Sequence, residues 1–187
     1  MSKQPIRRYF FDCEFNENKP TTGTRLYDID FISIAIVSED GETYYAVNKD
    51  CDPDDAARHP WLAQHVVPKL PPRTLWKDIS EIREGLKSFL RPAQKVEFWA
   101  RNNSYDVVTL CRLFGTMQAM KDDLKALGID DFEFCDINEF RKDPAVDWAR
   151  IPRKEETKAH AADYDAEFEL VLYRHIMNLK KAKAPRP

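Results

Sequence analysis

Residues 7–18, RRYFFDCEFNEN, set two carboxylates into a segment that otherwise reads as a buried strand. Tyr9, Phe10, Phe11 and Phe15 are aromatic and Cys13 is small and apolar, while Asp12 and Glu14 stand between them. Side chains two apart on a strand share a face, so the two acids point the same way. At a sheet edge, in water or paired to arginines, such a pair needs nothing further. A strand this aromatic is expected at the centre of a sheet, however, where neighbouring carboxylates repel and each loses hydration. A divalent cation relieves both costs, and hard oxygen donors suit Mg²⁺ or Mn²⁺. Asp12 and Glu14 are therefore a candidate metal site in search of partners.

Working outward, NKPTTGT reads as a loop, and the β-branched run over 30–37 as a second central strand. SEDGE makes a tight turn into a hairpin partner over 43–47. Residues 54–67 read as a helix that PKLPPRT breaks. Ile79, Ile82, Leu86, Phe89 and Leu90 form the stripe of a helix over 76–90. A strand over 95–100, a helix over 104–115 closed by Gly115, a strand over 132–137 and a helix over 163–180 complete the order. Strands and helices in this order predict an α/β domain, residues 1–180, with an antiparallel hairpin at one side of a mixed sheet. Residues 181–187 are expected as a basic tail, solvated or weakly phosphate-attracting.

The 187 residues suit one domain with a substantial core, and 43% hydrophobic with 33% charged residues is a globular composition. No apolar run is long enough to span a bilayer. The N-terminal stretch lacks a signal-peptide core, so a cytoplasmic protein is expected. Cys13, Cys51, Cys111 and Cys135 lack zinc spacing and read as free thiols. A net charge of −3 argues against broad electrostatic attraction to nucleic acid, although bound metal ions can supply local positive charge to a nuclease.

Two further acids join the first pair. Asp106 lies just inside the helix that follows the 95–100 strand, at the border of its apolar stripe. By itself it also fits a surface acid favoured by the helix dipole. Asp165 precedes Phe168, Leu172, Ile176 and Leu179 by 3, 7, 11 and 14 residues, which puts it on the core-facing stripe of the last helix. An acid there requires a partner. His160 stands five residues earlier, whereas His59, His65 and His175 read as structural.

In this order the residues resemble the DEDDh 3′–5′ exonucleases of the RNase T/DnaQ superfamily. The matching motifs are D-x-E at Asp12–Glu14, an Asp after a strand and Asn-containing turn at Asp106, and H-x₄-D from His160 to Asp165. Alanine at 161 excludes the Y-x₃-D variant. RYFFDCEF, FISIAIVSEDGETYYAV, HVVPKLPPRTLW and FWARNNSYDVVTLCRLFG extend the similarity to the branch of mycobacterial polyadenylate-specific exoribonucleases. Two departures are Phe15, where proofreading enzymes carry Thr, and Arg101, where a histidine is commoner. The resemblance implies an RNase H-like fold with a five-stranded sheet. It also implies two Mg²⁺ (or Mn²⁺) ions, ~3.5–4 Å apart, on Asp12, Glu14, Asp106 and Asp165. His160 is implied as general base on the attacking water. The implied substrate is single-stranded RNA or an RNA 3′ end, degraded to nucleoside 5′-monophosphates. DNA, a homodimer and a non-catalytic nucleic-acid-binding role stay open. Phe15 fits either base stacking or core packing, and the backbone at Cys13–Phe15 is a candidate reader of the ribose 2′-OH.

Overall fold

In β1 (Ile6–Asn16) the side chains alternate between two cores, and the molecule is layered around that alternation. Tyr9, Phe11 and Cys13 pack on one face with Ile34, Ile36, Phe98, Leu86, Leu110 and Met120. Phe10 faces the other way, among Ala35, Val37, Ala166, Phe168, Leu172 and Ile176. A strand buried on both faces belongs inside a sheet. β1 is indeed the middle strand of five in the computed structural model, which describes residues 5–17 and 29–183. The expected loop NKPTTGT lies outside the described residues.

The sheet order is β3-β2-β1-β4-β5, with β2 (Asp30–Ser38), β3 (Thr43–Val47), β4 (Ala93–Ala100) and β5 (Ile129–Asp136). β1 runs antiparallel to β2, and β2 to β3, through a turn in which Gly41 takes φ 95. β1 and β4, and then β4 and β5, are parallel. Parallel neighbours need crossovers, and helices supply them. The expected mixed five-stranded α/β sheet with an antiparallel hairpin is thus the observed one.

Helix α3 (Ile79–Phe89) crosses from β3 to β4 and buries Ile82 and Leu86. It begins later than the expected residue 76. Asp78 caps it by accepting from the Glu81 amide, while the Glu81 carboxylate accepts from the Asp78 amide. The expected single helix over 54–67 is instead two short ones, α1 (Pro53–Ala56) and α2 (Pro60–His65), with a 3₁₀ turn Val67–Lys69. Pro60 has no amide proton to continue α1, and it keeps His59 extended at φ −85, ψ 115.

Helices α4 (Ser104–Leu113) and α5 (Met117–Ala126) connect β4 to β5. No element is expected from the sequence over 117–126, yet Thr116 caps α5 and Met120 and Leu124 bury its inner side. Helix α6 (Ala162–Lys183) covers the opposite face, and residues 181–183 of the expected tail are its last turn. Residues 184–187 lie outside the described residues. Three cysteines are buried and Cys135 is half-buried, and no disulfide joins any of them. Among the described residues no helix is long and apolar enough to cross a membrane.

Candidate active site

Asp12 and Glu14 continue the face of β1 that Phe10 begins, so they meet α6 at its N-terminal end. A register shift between Glu14 and Phe15 interrupts the pairing with β2 just past the acids, after which Phe15 pairs with Phe31. Asp106 arrives from the first turn of α4. Its Oδ1 accepts from the Cys13 amide at 2.9 Å, which fastens α4 to the strand between the two acids. Asp165 arrives from the first turn of α6 and is only 4% exposed, as its place on the apolar stripe predicts.

His160 is fixed from three directions. Its amide donates to Asp165 Oδ2 at 3.0 Å, and Lys69 Nζ donates to the carbonyl of Ala159. Its own backbone is left-handed, φ 68, an uncommon state for a residue with a side chain. The outcome is a compact group: one potential ligand atom each from Glu14, His160 and Asp165 lie within 4.8 Å of one another. Asp12 and Asp106 stand outside that tightest group but act on it electrostatically.

Crowding of acids shows in their protonation. Burial, then the charges of Glu14, Asp106 and Asp165, push Asp12 well above the carboxylate range. Burial, then Asp165 and Asp106, push Glu14 up to about 8. Burial raises Asp106 to about 6 against the opposing hydrogen bond from Cys13. Burial lowers His160, with Asp165 pulling the other way. Asp165 Oδ1 lies 3.1 Å from Lys154 Nζ but has no hydrogen bond within the described residues. Hard oxygen donors whose mutual repulsion is only partly offset by Lys154 fit a divalent cation.

Phe15 touches the main core, packs at 5.4 Å and a 46° tilt against the half-exposed ring of Tyr105, and lines a cleft of about 400 Å³ with Glu17, His59, Trp61 and Leu62. Cys13 turns its thiol into the opposite core, and its amide is already engaged by Asp106.

Sequence reasoning missed four residues here. Trp61, 43% exposed, lies 4.6 Å edge-on to the His160 ring, and His65, read as structural, lies 5.6 Å from it. Lys154 and Glu169 complete the charge cluster, with Lys154 Nζ 3.4 Å from Glu169 Oε1. Only Glu169 carries a sequence signal: four residues after Asp165, it shares the same helix face. Arg101, the departure noted near the second motif, approaches Glu169 at 3.8 Å.

A family model described as the 3′-5′ exoribonuclease Rv2179c-like domain matches residues 7–177. Two curated relatives from strains of Mycobacterium tuberculosis, 3′-5′ exoribonuclease Rv2179c and 3′-5′ exoribonuclease MT2234.1, are each 44% identical over 117 residues. The match covers 60% of this chain and 64% of each relative, so the alignment spans less than two thirds of their length. With a match running from the strand that bears Asp12 to the helix that bears Asp165, the chain belongs to the Rv2179c-like 3′-5′ exoribonuclease domain family.

Proposed function

We propose that the chain is a metal-dependent 3′–5′ exoribonuclease that shortens single-stranded RNA, or RNA 3′ overhangs, to nucleoside 5′-monophosphates. The observation that carries this reading is the convergence of Glu14, His160 and Asp165 within 4.8 Å, beside Asp12 and Asp106. The names of the relatives supply the polarity and the RNA. The strand order β3-β2-β1-β4-β5, with acids at the C-terminal half of β1, supports an RNase H-like fold of the DEDDh type.

Asp12, Glu14, Asp106 and Asp165 are the residues to hold two Mg²⁺ or Mn²⁺ ions. Bound there, the cations supply Lewis acidity to the scissile phosphodiester and acidify a water. His160 works from its ring nitrogen. Burial favours the neutral imidazole, which accepts the proton of the water as its oxygen attacks phosphorus. The bond from phosphorus to the 3′ oxygen of the preceding nucleotide breaks, leaving a 3′-hydroxyl on the shortened strand. Asp165 keeps the histidine in place through the His160 amide. The cleft beside Phe15 and Trp61 offers aromatic surface to the terminal base, and base stacking on such rings is worth ~1–3 kcal/mol.

The test uses matched single-stranded RNA and DNA, with Mg²⁺ or Mn²⁺ and with EDTA. Stepwise loss of RNA 3′ nucleotides only in the metal reactions is expected. Faster loss of DNA would reassign the substrate, and full activity in EDTA would remove the metal.

A further inference from the structure

Lys154 is the unexplained member of the site. It lies in the irregular stretch between the 3₁₀ turn Trp148–Arg150 and α6, its side chain only 15% exposed. Its ammonium rests over the Phe168 ring at 5.7 Å and between two acids, Asp165 and Glu169. Its charge eases Asp12, Glu14, Asp106 and Glu169 together. The atom it contacts on Asp165 is Oδ1, the oxygen not taken by the His160 amide. A divalent cation bound to Asp165 therefore competes with Lys154 for Oδ1.

Glu169 provides somewhere for the ammonium to go. This carboxylate is 2% exposed, stands one helical turn beyond Asp165, and makes no direct ligand cluster with Glu14 and His160. Its Oε1 lies 3.4 Å from Lys154, and its Oε2 is buried with no hydrogen bond among the described residues. A buried carboxylate oxygen without a donor is costly, so an acceptor there stands ready for a shifted ammonium. Arg101, 3.8 Å from Oε1 on a partly exposed side chain, leaves Oε2 open.

We propose that Lys154 is a resident counter-ion of the carboxylate site, which yields Asp165 to an incoming divalent cation by moving onto Glu169. The inference rests on the metal-binding reading above and names positioning residues for it. Lys154 lessens the repulsion among the metal-free carboxylates, and Glu169 keeps the displaced ammonium inside the site. Metal affinity is then tuned by two residues outside the proposed ligand set.

Calorimetric titration with Mn²⁺ tests this on the full chain, with substrate absent. K154M removes the competitor while keeping an apolar stem on Phe168. It should bind Mn²⁺ at least roughly 5-fold more tightly, a coupling at the low end of the usual range. The same variant should lose thermal stability without metal and recover it with Mn²⁺. E169Q should do the opposite to affinity, because Lys154 then has no acid to retreat to and stays on Asp165. Within the K154M background, the weakening caused by E169Q should fall to less than half on a logarithmic scale. If K154M does not give native circular dichroism, K154Q replaces it. A wild type that binds no Mn²⁺ overturns the metal site and this inference together. A wild type that binds, beside a K154M that binds no more tightly, overturns the inference alone. So does an E169Q effect that is undiminished in K154M.

Discussion

At the scale of the residue, His160 and Glu14 make separable demands. A general base is needed for turnover but not for holding metal, so His160→Ala should cut the rate by roughly 10²–10⁴-fold while Mn²⁺ binding persists. Burial lowers this imidazole, so the rate should rise with pH along a limb centred below the ordinary histidine value of 6.5. That limb should vanish in the variant, and a pH–rate series on both proteins reads it. Equal loss of Mn²⁺ affinity in His160→Ala and Asp165→Ala would make the histidine a ligand instead. Glu14 governs stability. Without metal it keeps a proton up to about 8 in the folded chain, whereas its ordinary value is 4.5. The folded state binds more protons than the unfolded one in that window. Its extra stability is therefore full below 4.5 and is lost as pH rises through about 8. Metal-free Tm should fall between pH 5 and 8.5, and Glu14→Gln should flatten the fall. At pH 8.5 the variant should melt higher than wild type by about 2–4 °C for each kcal/mol of repulsion removed. Thermal melts in EDTA decide it.

At the scale of the element, a glycine in α3 and a proline at the start of α2 set where the two helices lie. Helix α3 is drawn close to the hairpin at Gly85, where a Cβ would stand 2.1 Å from the Tyr44 hydroxyl. That hydroxyl also donates to the Ile82 carbonyl. Gly85→Ala should therefore destabilise by about 1–3 kcal/mol, in spite of alanine's better helix propensity. Urea unfolding with a reduced midpoint and unchanged slope is the expected result. A stabilised Gly85→Ala would mean that α3 stands farther from β3. The break at Pro60 has a functional consequence as well. A single straight helix over 54–67 would have no kink at His59, and the kink sets the direction of α2, which carries Trp61 and His65 to the His160 ring.

At the scale of the whole molecule, the proposed RNA substrate is a polyanion, whereas the chain carries a net charge of −3. Local charge has to do what overall charge does not, so substrate binding should require the divalent cations rather than merely improve with them. RNA affinity measured with a non-hydrolysable backbone should collapse in EDTA. An RNA blocked by a 3′-phosphate should resist, a 5′-blocked RNA should be shortened stepwise, and a circular RNA should survive. Internal cuts in the circle would make the enzyme an endonuclease.

Much of this was legible in residue order, because periodicity is local information. The unbroken aromatic run Tyr9, Phe10 and Phe11 placed β1 inside a sheet, and the 3, 7, 11 and 14 spacing placed Asp165 on a buried face. Glu169 shared that face and was readable by the same count. Helix α5 was readable from Thr116, Met120 and Leu124, but only two of its ten residues, Met120 and Leu124, are buried. Lys154, Trp61 and His65 were not legible. They come from irregular or short segments whose side chains acquire a direction only when the segments dock, so no spacing encodes their nearness to His160. The identity of the acids followed from the one-dimensional pattern, whereas the ammonium between Asp165 and Glu169 was decided by tertiary packing, since burial and charge pairing are properties of neighbours distant in the chain.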